Sequence, residues 1–229
     1  MLISGLQKLT LLDYPEKTAC TIFTYGCNFR CPFCHNALLV TEKNCDVIPE
    51  DEVLSFLRKR QGILDGVCIT GGEPTNQKDL IPFMKKIKDM GYLVKLDTNG
   101  YNPEVLSDIL SQGLCDYVAM DIKNCMEKYS LTAGIEIDTE KIKKSIKLIK
   151  EKAPDYEFRT TVVKEFHTEN DIESICDNII EKQSKFFLQQ FKDSGNLIKE
   201  GLSAWDKERM AKLVDKLRKK DFNVLIRES

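Results

Sequence analysis

Three cysteines lie within eight residues of one another in the first part of the chain: Cys27, Cys31 and Cys34. Thiolates are soft ligands that suit zinc, copper and iron–sulfur clusters. The spacing C-x3-C-x2-C lets all three converge on one metal centre, and His35 follows the last of them directly. This group carries the strongest chemical signal in the sequence, and three kinds of site compete to explain it.

Each of the three sites makes a different demand on the ligands. A structural zinc site would need His35 as its fourth ligand, but zinc usually takes two separated pairs, and no second C-x2-C follows. A c-type haem would use the C-x-x-C-H pattern of residues 31–35, although that attachment usually occurs outside the cytoplasm and we expect no export signal in residues 1–12. A 4Fe–4S cluster normally takes four thiolates, so three would leave one iron open to a substrate or cofactor. The spacing favours this open cluster.

The cysteines follow the first of a series of β-rich runs that alternate with helical patterns. The predicted strands span residues 18–25, 66–70, 93–97, 117–122, 157–163, 186–190 and 223–227. The predicted helices span residues 49–61, 78–90, 103–111, 139–152, 169–182 and 204–219. Ser203 followed by Asp206 predicts a capping box at the start of the last helix.

This alternation predicts right-handed βαβ crossovers and a parallel sheet. A complete eight-unit barrel usually needs about 250 residues, whereas this chain has 229 and shows six units. We therefore predict an α/β fold: an incomplete (β/α)6 barrel over residues 18–229, with a short N-terminal hairpin or cap over residues 1–17 and an extra C-terminal strand. All of it is predicted to form a single domain over residues 1–229. A doubly wound open sheet is the main alternative.

The composition is that of a globular protein without a charged surface for nucleic acid. Thirty-four Lys and Arg residues against 36 Asp and Glu residues give a formal charge of −2. Because there is neither a basic excess nor an apolar run of about 20 residues, we expect no nucleic-acid partner and no membrane span. We expect a cytoplasmic protein in which the six other cysteines are buried as small hydrophobic side chains. These are Cys20, Cys45, Cys68, Cys115, Cys125 and Cys176.

Glycines and polar residues follow the next predicted strands, at the edge where parallel α/β folds carry their chemistry. The adjacent Gly71 and Gly72 would let a backbone approach a ligand without interference from a Cβ atom, although a tight loop also explains the pair. Asp97 ends the third strand, while Asp121 and Lys123 end the fourth. Each could serve only a turn or a surface ion pair. Together at one rim, they would line a pocket.

The cysteine spacing at the end of the first strand resembles the signature of the radical S-adenosylmethionine (radical SAM) enzymes. The resemblance implies a 4Fe–4S cluster whose open iron chelates the methionine part of SAM, and reductive cleavage to a 5′-deoxyadenosyl radical. It also implies that Phe33, just before the third cysteine, packs by the adenine. The segment Gly71-Gly72-Glu73 resembles the family's GGE motif, whose backbone meets the amino group of SAM.

Residues 97–100 and 121–123 resemble the DTNG and DxK elements of the glycyl-radical-enzyme activases, a branch of that family. The resemblance implies a monovalent cation beside the SAM carboxylate, held by the side chains of Asp97, Thr98 and Asp121 and by the main-chain carbonyl of Ala119. A cation would offset the carboxylates that converge there. The resemblance also places Lys123 near the point where the glycine loop of a target protein enters.

Further segments resemble the activating proteins of anaerobic ribonucleoside-triphosphate reductase, across nearly the whole chain. They are residues 5–15, 34–36, 159–163 and 188–191. The resemblance implies that Arg159 belongs to the SAM pocket and that the partner is a glycyl radical enzyme, with that reductase as the specific expectation. Glu16 departs from the pattern, which usually has glycine after Tyr-Pro, and this would affect a turn far from the proposed chemistry.

Two other functions compete with activation of a partner protein. A radical SAM enzyme could act on a small molecule or a modified-nucleobase precursor, and such an enzyme should enclose its pocket. A zinc- or iron-binding scaffold or sensor would have no turnover. For the activase we expect a flavodoxin- or ferredoxin-type electron donor. We expect one cluster only, because the chain has no cysteine-rich insertion between Cys34 and Gly71, and Cys45 alone does not make a second.

Overall fold

The computed structural model describes residues 1–42 and 46–227, which form one sheet with helices around it. The strands are β1 (Ile3–Thr10), β2 (Ala19–Thr24), β3 (Gly66–Gly71), β4 (Leu93–Thr98), β5 (Tyr117–Asp121), β6 (Tyr156–Val162), β7 (Phe186–Gln190) and β8 (Val224–Arg227). The α-helices are α1 (Leu38–Thr41), α2 (Glu50–Arg58), α3 (Leu80–Asp89), α4 (Pro103–Ser111), α5 (Tyr129–Ala133), α6 (Thr139–Lys152), α7 (Glu169–Asn178) and α8 (Lys207–Arg218). Cys45 lies outside the described residues.

The sheet order follows the chain order from β1 to β8. β1 pairs antiparallel with β2, and every later pair is parallel. Within the described residues β8 does not pair with β1, so the sheet is not closed by hydrogen bonds. Six strand–helix units from β2 to α8, followed by β8, confirm the predicted incomplete barrel with an extra C-terminal strand.

The two faces of the parallel strands differ in chemistry because side chains alternate along a strand. Apolar side chains of β3, β4 and β5 face the helices and are completely buried, such as Val67, Leu96 and Val118. The alternate positions carry charge: Lys95 and Asp97 in β4, with Glu157 and Arg159 at corresponding positions in β6. Parallel strands are usually apolar on both faces, so these charged positions mark a polar interior.

The N-terminal segment, expected as a hairpin or cap, forms a hairpin with β2 and thereby adds a strand to the sheet. The chain turns between the two strands through residues 11–18. Glu16 has a φ of 60°, the left-handed region that favours glycine. The turn therefore keeps a glycine-like backbone although glutamate occupies the position, and it lies at the end of the sheet opposite the predicted site.

The helix ends differ from the predictions at several places, and two short helices, α1 and α5, were not predicted. α2 ends at Arg58 rather than at residue 61, and α3 begins at Leu80 rather than at residue 78. α7 ends at Asn178 rather than at residue 182, because Ile179 leaves the helical region with φ −122° and ψ −47°. α8 begins at Lys207 rather than at residue 204, and the predicted capping box is wrong. Asp206 alone caps it, accepting hydrogen bonds from the next backbone N–H groups, while Ser203 instead donates to Glu165.

No helix in the described part of the chain is long and apolar enough to cross a membrane. The other cysteines in that part are buried, as expected for small apolar side chains: Cys20, Cys68, Cys115, Cys125 and Cys176 are at most 4 % exposed.

The start of α8 gives a test of the capping assignment. Asp206→Ala should lower the free energy of unfolding by about 1 kcal/mol, because the N–H groups of Glu208 and Arg209 lose their acceptor. Ser203→Ala removes only a surface contact and should change it by less than about 0.5 kcal/mol. Denaturant titration of both variants measures the difference, and equal losses would contradict the assignment.

Candidate functional site

The carboxyl ends of β2 to β7 surround a cavity of about 220 Å³. Every residue predicted for the site lines it, from the three cysteines to Lys123 and Arg159, except Ala119, whose carbonyl was expected to hold the cation. A wider groove of about 550 Å³ lies on the outer surface beside α6 and α7, where lysines and glutamates predominate, and none of the cysteines reaches it. The chemistry predicted from the sequence therefore converges in the smaller cavity.

The loop after β2 carries the three cysteines into this cavity. The N–H of Phe29 donates to Sγ of Cys27 at 3.3 Å, and the N–H of Cys34 donates to the carbonyl of Cys31 at 3.0 Å. Burial raises the pKa of Cys27 to about 12 and that of Cys31 to about 11. The free thiols are thus protonated at neutral pH, and metal binding must release their protons.

The donor set fits an iron–sulfur cluster better than a single ion. Among residues 1–42 and 46–227, no group of three or more His, Cys, Asp or Glu side chains could hold a metal ion by itself. A cluster instead meets each thiolate at a different iron, so it requires thiols that face one space rather than one point. Cys27, Cys31 and Cys34 all line the same cavity, which places the three thiols around one such space.

The glycine turn after β3 lies directly against the cysteine loop. The N–H of Gly72 donates to the carbonyl of Thr24, and the N–H of Glu73 donates to the carbonyl of Gly26, both at 2.8 Å. A Cβ atom added to Gly72 would lie 1.9 Å from the Gly26 carbonyl oxygen. The missing side chain thus permits the backbone of this turn to touch the cysteine loop. From the sequence, we expected the glycines only to admit a ligand and did not predict this contact.

The side chain of Glu73 is buried, with 1 % of it exposed. Its Oε1 accepts hydrogen bonds from the hydroxyls of Thr75 and Thr98, at 2.5 and 2.7 Å, and its Oε2 accepts from the N–H of Asn99 at 2.7 Å. Both carboxylate oxygens are therefore used to join the loops after β3 and β4. Only the backbone of Glu73 is left to meet a cofactor.

Asn99 connects the same two loops to a cysteine, and its side chain was not among the predicted site residues. Its Nδ2 donates to Oδ1 of Asn28 at 2.8 Å and lies 3.8 Å from Sγ of Cys27. Amide donors near a thiolate orient a metal ligand and stabilise its charge. The position within the DTNG segment was the available signal for this residue.

The floor of the cavity is a network of charged side chains. Arg159 donates to Asp121 at 2.9 Å and to Asp97 at 3.2 Å, and it is 12 % exposed. Lys123 donates to the other oxygen of Asp121 at 3.1 Å. Although burial alone would raise it, the neighbouring guanidinium and ammonium groups hold the pKa of Asp121 well below its ordinary value. Asp121 therefore stays ionised.

Lys95 completes this network, and the sequence interpretation did not assign it to the site. It lies two residues before Asp97 on β4, is 2 % exposed, and donates to Oδ1 of Asp97. The signal that could have identified it is a lysine within an otherwise apolar strand of a parallel sheet.

Phe33 belongs to the cavity wall and to a separate apolar cluster. It is 4 % exposed and packs against Phe166, with ring centroids 5.9 Å apart. Val163, Phe191 and Leu202 complete this cluster. The aromatic ring before the third cysteine is thus held by the ends of β6 and β7, where it can offer a surface to a bound base.

Comparison with known proteins identifies the family. A model of the radical SAM superfamily matches residues 21–179, which contain the three cysteines, the glycine turn and the charged floor. The chain belongs to this superfamily. Radical SAM proteins use a 4Fe–4S cluster and SAM, and the cavity contains a suitable set of thiols for the cluster.

Named relatives include two activating enzymes. A Methanocaldococcus jannaschii protein, named as a glycyl-radical enzyme activating enzyme, is 38 % identical over 83 % of this chain and 80 % of its own length. The pyruvate formate-lyase-activating enzyme of Clostridium pasteurianum is 30 % identical over 53 % of this chain and 52 % of its own. The 7-carboxy-7-deazaguanine synthase of Thermococcus kodakarensis is 31 % identical over 43 % of this chain and 46 % of its own.

Solved structures support the fold. Streptococcus suis SuiB bound to S-adenosylmethionine matches 90 % of this chain with a TM-score of 0.66 at 17 % identity, and this chain spans 48 % of SuiB. The enzyme anSMEcpe with bound AdoMet matches 88 % of this chain with a TM-score of 0.63 at 19 % identity, and the chain spans 61 % of it.

The assignment of the cluster ligands can be tested by substitution. Cys27→Ala, Cys31→Ala or Cys34→Ala should each abolish the intact cluster, because no spare cysteine lies in the cavity among the described residues. Cys176→Ala, deep in the core on α7, should retain it. Iron content and the electron paramagnetic resonance spectrum of the reduced protein measure this. A cluster that survives the loss of Cys31 would refute the assignment.

The contact between the cysteine loop and the turn after β3 predicts the effect of adding one methyl group at Gly72. Gly72→Ala should disturb the cysteine loop as well as the SAM site, because its Cβ atom would overlap the Gly26 carbonyl. We expect loss of most of the bound iron and of SAM binding together. Gly62→Ala is the control for general destabilisation. Its φ of +75° strains any side chain, but its Cβ atom would meet nothing within 4 Å, so iron and SAM binding should be retained. A Gly72→Ala protein with full iron content but no SAM binding would show that the turn serves the cofactor alone.

Proposed function

We propose that this protein activates a glycyl radical enzyme, and that the partner is an anaerobic ribonucleoside-triphosphate reductase. The observation that carries the first part is the 38 % identity to an activating enzyme over 83 % of the chain, with the cysteines and the charged floor in one cavity. Support for the reductase comes from the resemblance of residues 5–15, 159–163 and 188–191 to its activating proteins.

The cavity supplies the positions that this reaction needs. With the cluster and SAM bound, one-electron reduction supplies a 5′-deoxyadenosyl radical that takes a hydrogen atom from a glycine α-carbon of the partner. Cys27, Cys31 and Cys34 would hold the cluster, and the backbone of residues 71–73 would orient the amino group of SAM. Arg159 faces the cavity from β6, and its guanidinium is suited to a carboxylate.

An open route into the cavity supports a protein substrate. Because β8 does not pair with β1 in the described part of the sheet, the barrel has a gap at its side. The cavity opens at the end of the barrel where Lys123 lies. The side chain of Lys123 is 17 % exposed. A glycine loop entering there would meet Lys123 close to the cluster loop, which makes this lysine a candidate to position the substrate backbone.

The electron must come from another molecule in this proposal. The described part of the chain has no second group of cysteines near the first, so we propose a flavodoxin- or ferredoxin-type donor. Both radicals are destroyed by oxygen, and we therefore place the reaction in an anaerobic cytoplasm.

A radical-transfer assay tests the function and the role of Lys123 together. The reduced holoenzyme, SAM and the reductase from the same source are mixed without oxygen, and we expect a glycyl radical doublet together with 5′-deoxyadenosine. Lys123→Met should lower the rate of radical formation by about a hundredfold, the effect of a misplacement of about 1 Å, with a smaller change in SAM affinity. Lys128→Met is the control, because Lys128 pairs with Asp171 outside the cavity.

A second function is favoured by one observation, the 31 % identity to a 7-carboxy-7-deazaguanine synthase over 43 % of the chain. In that case the substrate would be a modified-nucleobase precursor. If no glycyl radical enzyme of the host gives the doublet, yet a pterin- or purine-like precursor accelerates 5′-deoxyadenosine release, this second function replaces the first.

A further inference from the structure

The charged floor of the cavity contains one cation more than its carboxylates require. The acidic groups of this network are Asp97, Asp121 and Glu157, the last with an oxygen 3.9 Å from Arg159. The cationic groups paired with them are Lys95, Lys123, Arg159 and Arg227. Three negative and four positive charges leave this network at +1. A buried surplus charge is unfavourable unless an anion meets it.

The available oxygens of this floor are already occupied. Oδ1 of Asp97 accepts from Lys95, and its Oδ2 accepts from Thr70 at 3.3 Å and from Arg159 at 3.2 Å. Oδ1 of Asp121 accepts from Arg159 and its Oδ2 accepts from Lys123. Each carboxylate oxygen that was expected to bind a monovalent cation thus has a cationic donor from the chain itself.

The remaining expected ligands are also engaged or absent from the cavity. The hydroxyl of Thr98 donates to Glu73 at 2.7 Å and accepts from the N–H of Gly100 at 3.0 Å. Ala119 is fully buried within β5 and does not line the cavity. These residues do not fit a monovalent cation in the arrangement that the family resemblance implies.

We propose that the ammonium group of Lys95, together with Arg159, takes the place of that cation, so that this protein binds SAM without sodium or potassium. The inference rests on the proposed function only in assuming that SAM binds in this cavity as in an activase. The geometry is favourable because Lys95 is two residues from Asp97 on the same face of β4, which directs both side chains into the interior. The surplus charge then matches one incoming carboxylate, that of the methionine part.

Lys95 acts as a positioning residue in this proposal. It is 2 % exposed and bonds to Asp97 on the side opposite to Arg159, with Sγ of Cys68 at 3.8 Å as its other neighbour. It therefore holds Asp97 in place and neutralises it. Arg159 is then free to direct its remaining donors toward the cavity.

The first experiment measures SAM affinity of the anaerobically prepared holoenzyme by equilibrium dialysis, at constant ionic strength, in potassium, sodium or tetramethylammonium chloride. Tetramethylammonium is too large to bind between two carboxylates. We expect dissociation constants that agree within about twofold in the three salts, because the site needs no small cation. A loss of affinity of tenfold or more in tetramethylammonium would overturn the proposal.

The second experiment removes the ammonium group. Lys95→Met should weaken SAM binding about tenfold in tetramethylammonium, the loss expected for a hydrogen bond to a charged group, and potassium should restore much of it. Thallium-205 nuclear magnetic resonance should detect bound Tl⁺ in this variant but not in the wild-type protein. Lys88→Met is the control, because Lys88 pairs with Asp116 at the far end of β4.

The outcomes separate this inference from the proposed function, since no partner enzyme is present in either experiment. Two results would contradict the proposal: Tl⁺ bound in the cavity of the wild-type protein, or a SAM affinity of Lys95→Met that potassium does not change. Either would show that the ammonium group of Lys95 does not replace a bound monovalent cation. If Lys95→Met fails to fold, the salt dependence and thallium spectrum of the wild-type protein decide the question alone.

Discussion

The site depends on a close approach between two pieces of backbone. The loop that carries the cysteines and the turn after β3 touch at Gly26 and Gly72, where there is no room for a single Cβ atom. Two backbone hydrogen bonds, to the carbonyls of Thr24 and Gly26, hold them together. Because β2 and β3 are paired in register up to Thr24 and Gly71, the sheet itself brings both loops to this meeting point. The cysteine loop and the glycine turn are consequently fixed relative to each other by one contact.

A second constraint is the compensation of buried charge. Carboxylates in an apolar interior would be too costly unless cationic donors satisfy them. Here Arg159 spans Asp97 and Asp121, and a second layer below it pairs Glu157 with Arg227 through two bonds of 2.6 and 2.8 Å. Glu157 is completely buried, and Tyr117 donates to it at 2.9 Å. Each of these buried carboxylates is thus paired with a cationic side chain, both at the cavity and deeper in the barrel. This pairing allows charged residues on β4, β6 and β8 to remain in a folded sheet.

Much of this architecture follows from local patterns in the sequence. The seven parallel strands were predictable because each is a short apolar run followed by a turn, and the carboxyl ends of parallel strands meet at one edge. The cysteine loop could be placed there because it directly follows β2. Helix ends were less predictable, since one hydrogen-bond acceptor, Asp206, displaced the expected capping box at Ser203.

The partners of the site residues could not be derived in this way. Glu73 looks like a cofactor ligand in the sequence, yet it bonds to groups 25 and 26 residues away, Thr98 and Asn99, and this pairing exists only in three dimensions. Lys95 likewise stands out in the sequence only as a charged residue within a strand, and this does not identify its partners. Its role depends on Arg159, 64 positions later in the chain by numbering, which reaches the same carboxylate from another strand. Spacing along the chain does not encode such a meeting.

These connections also divide the residues of the cavity into two groups. Glu73 links the turn after β3 to Asn99, and Asn99 reaches Cys27, so the cysteine loop and the turn after β3 form one connected unit. Among the described residues, the side chain of Lys123 donates to Asp121 and its carbonyl lies 2.9 Å from Nε2 of His167. A change of the Lys123 side chain therefore removes none of the hydrogen bonds between the cysteine loop and the turn after β3, although its positive charge offsets part of the rise in pKa that burial causes at Cys31 and Cys34. By contrast, Gly72 and Glu73 bond directly to the carbonyls of Thr24 and Gly26, so a change at either residue bears on the position of the cysteine loop.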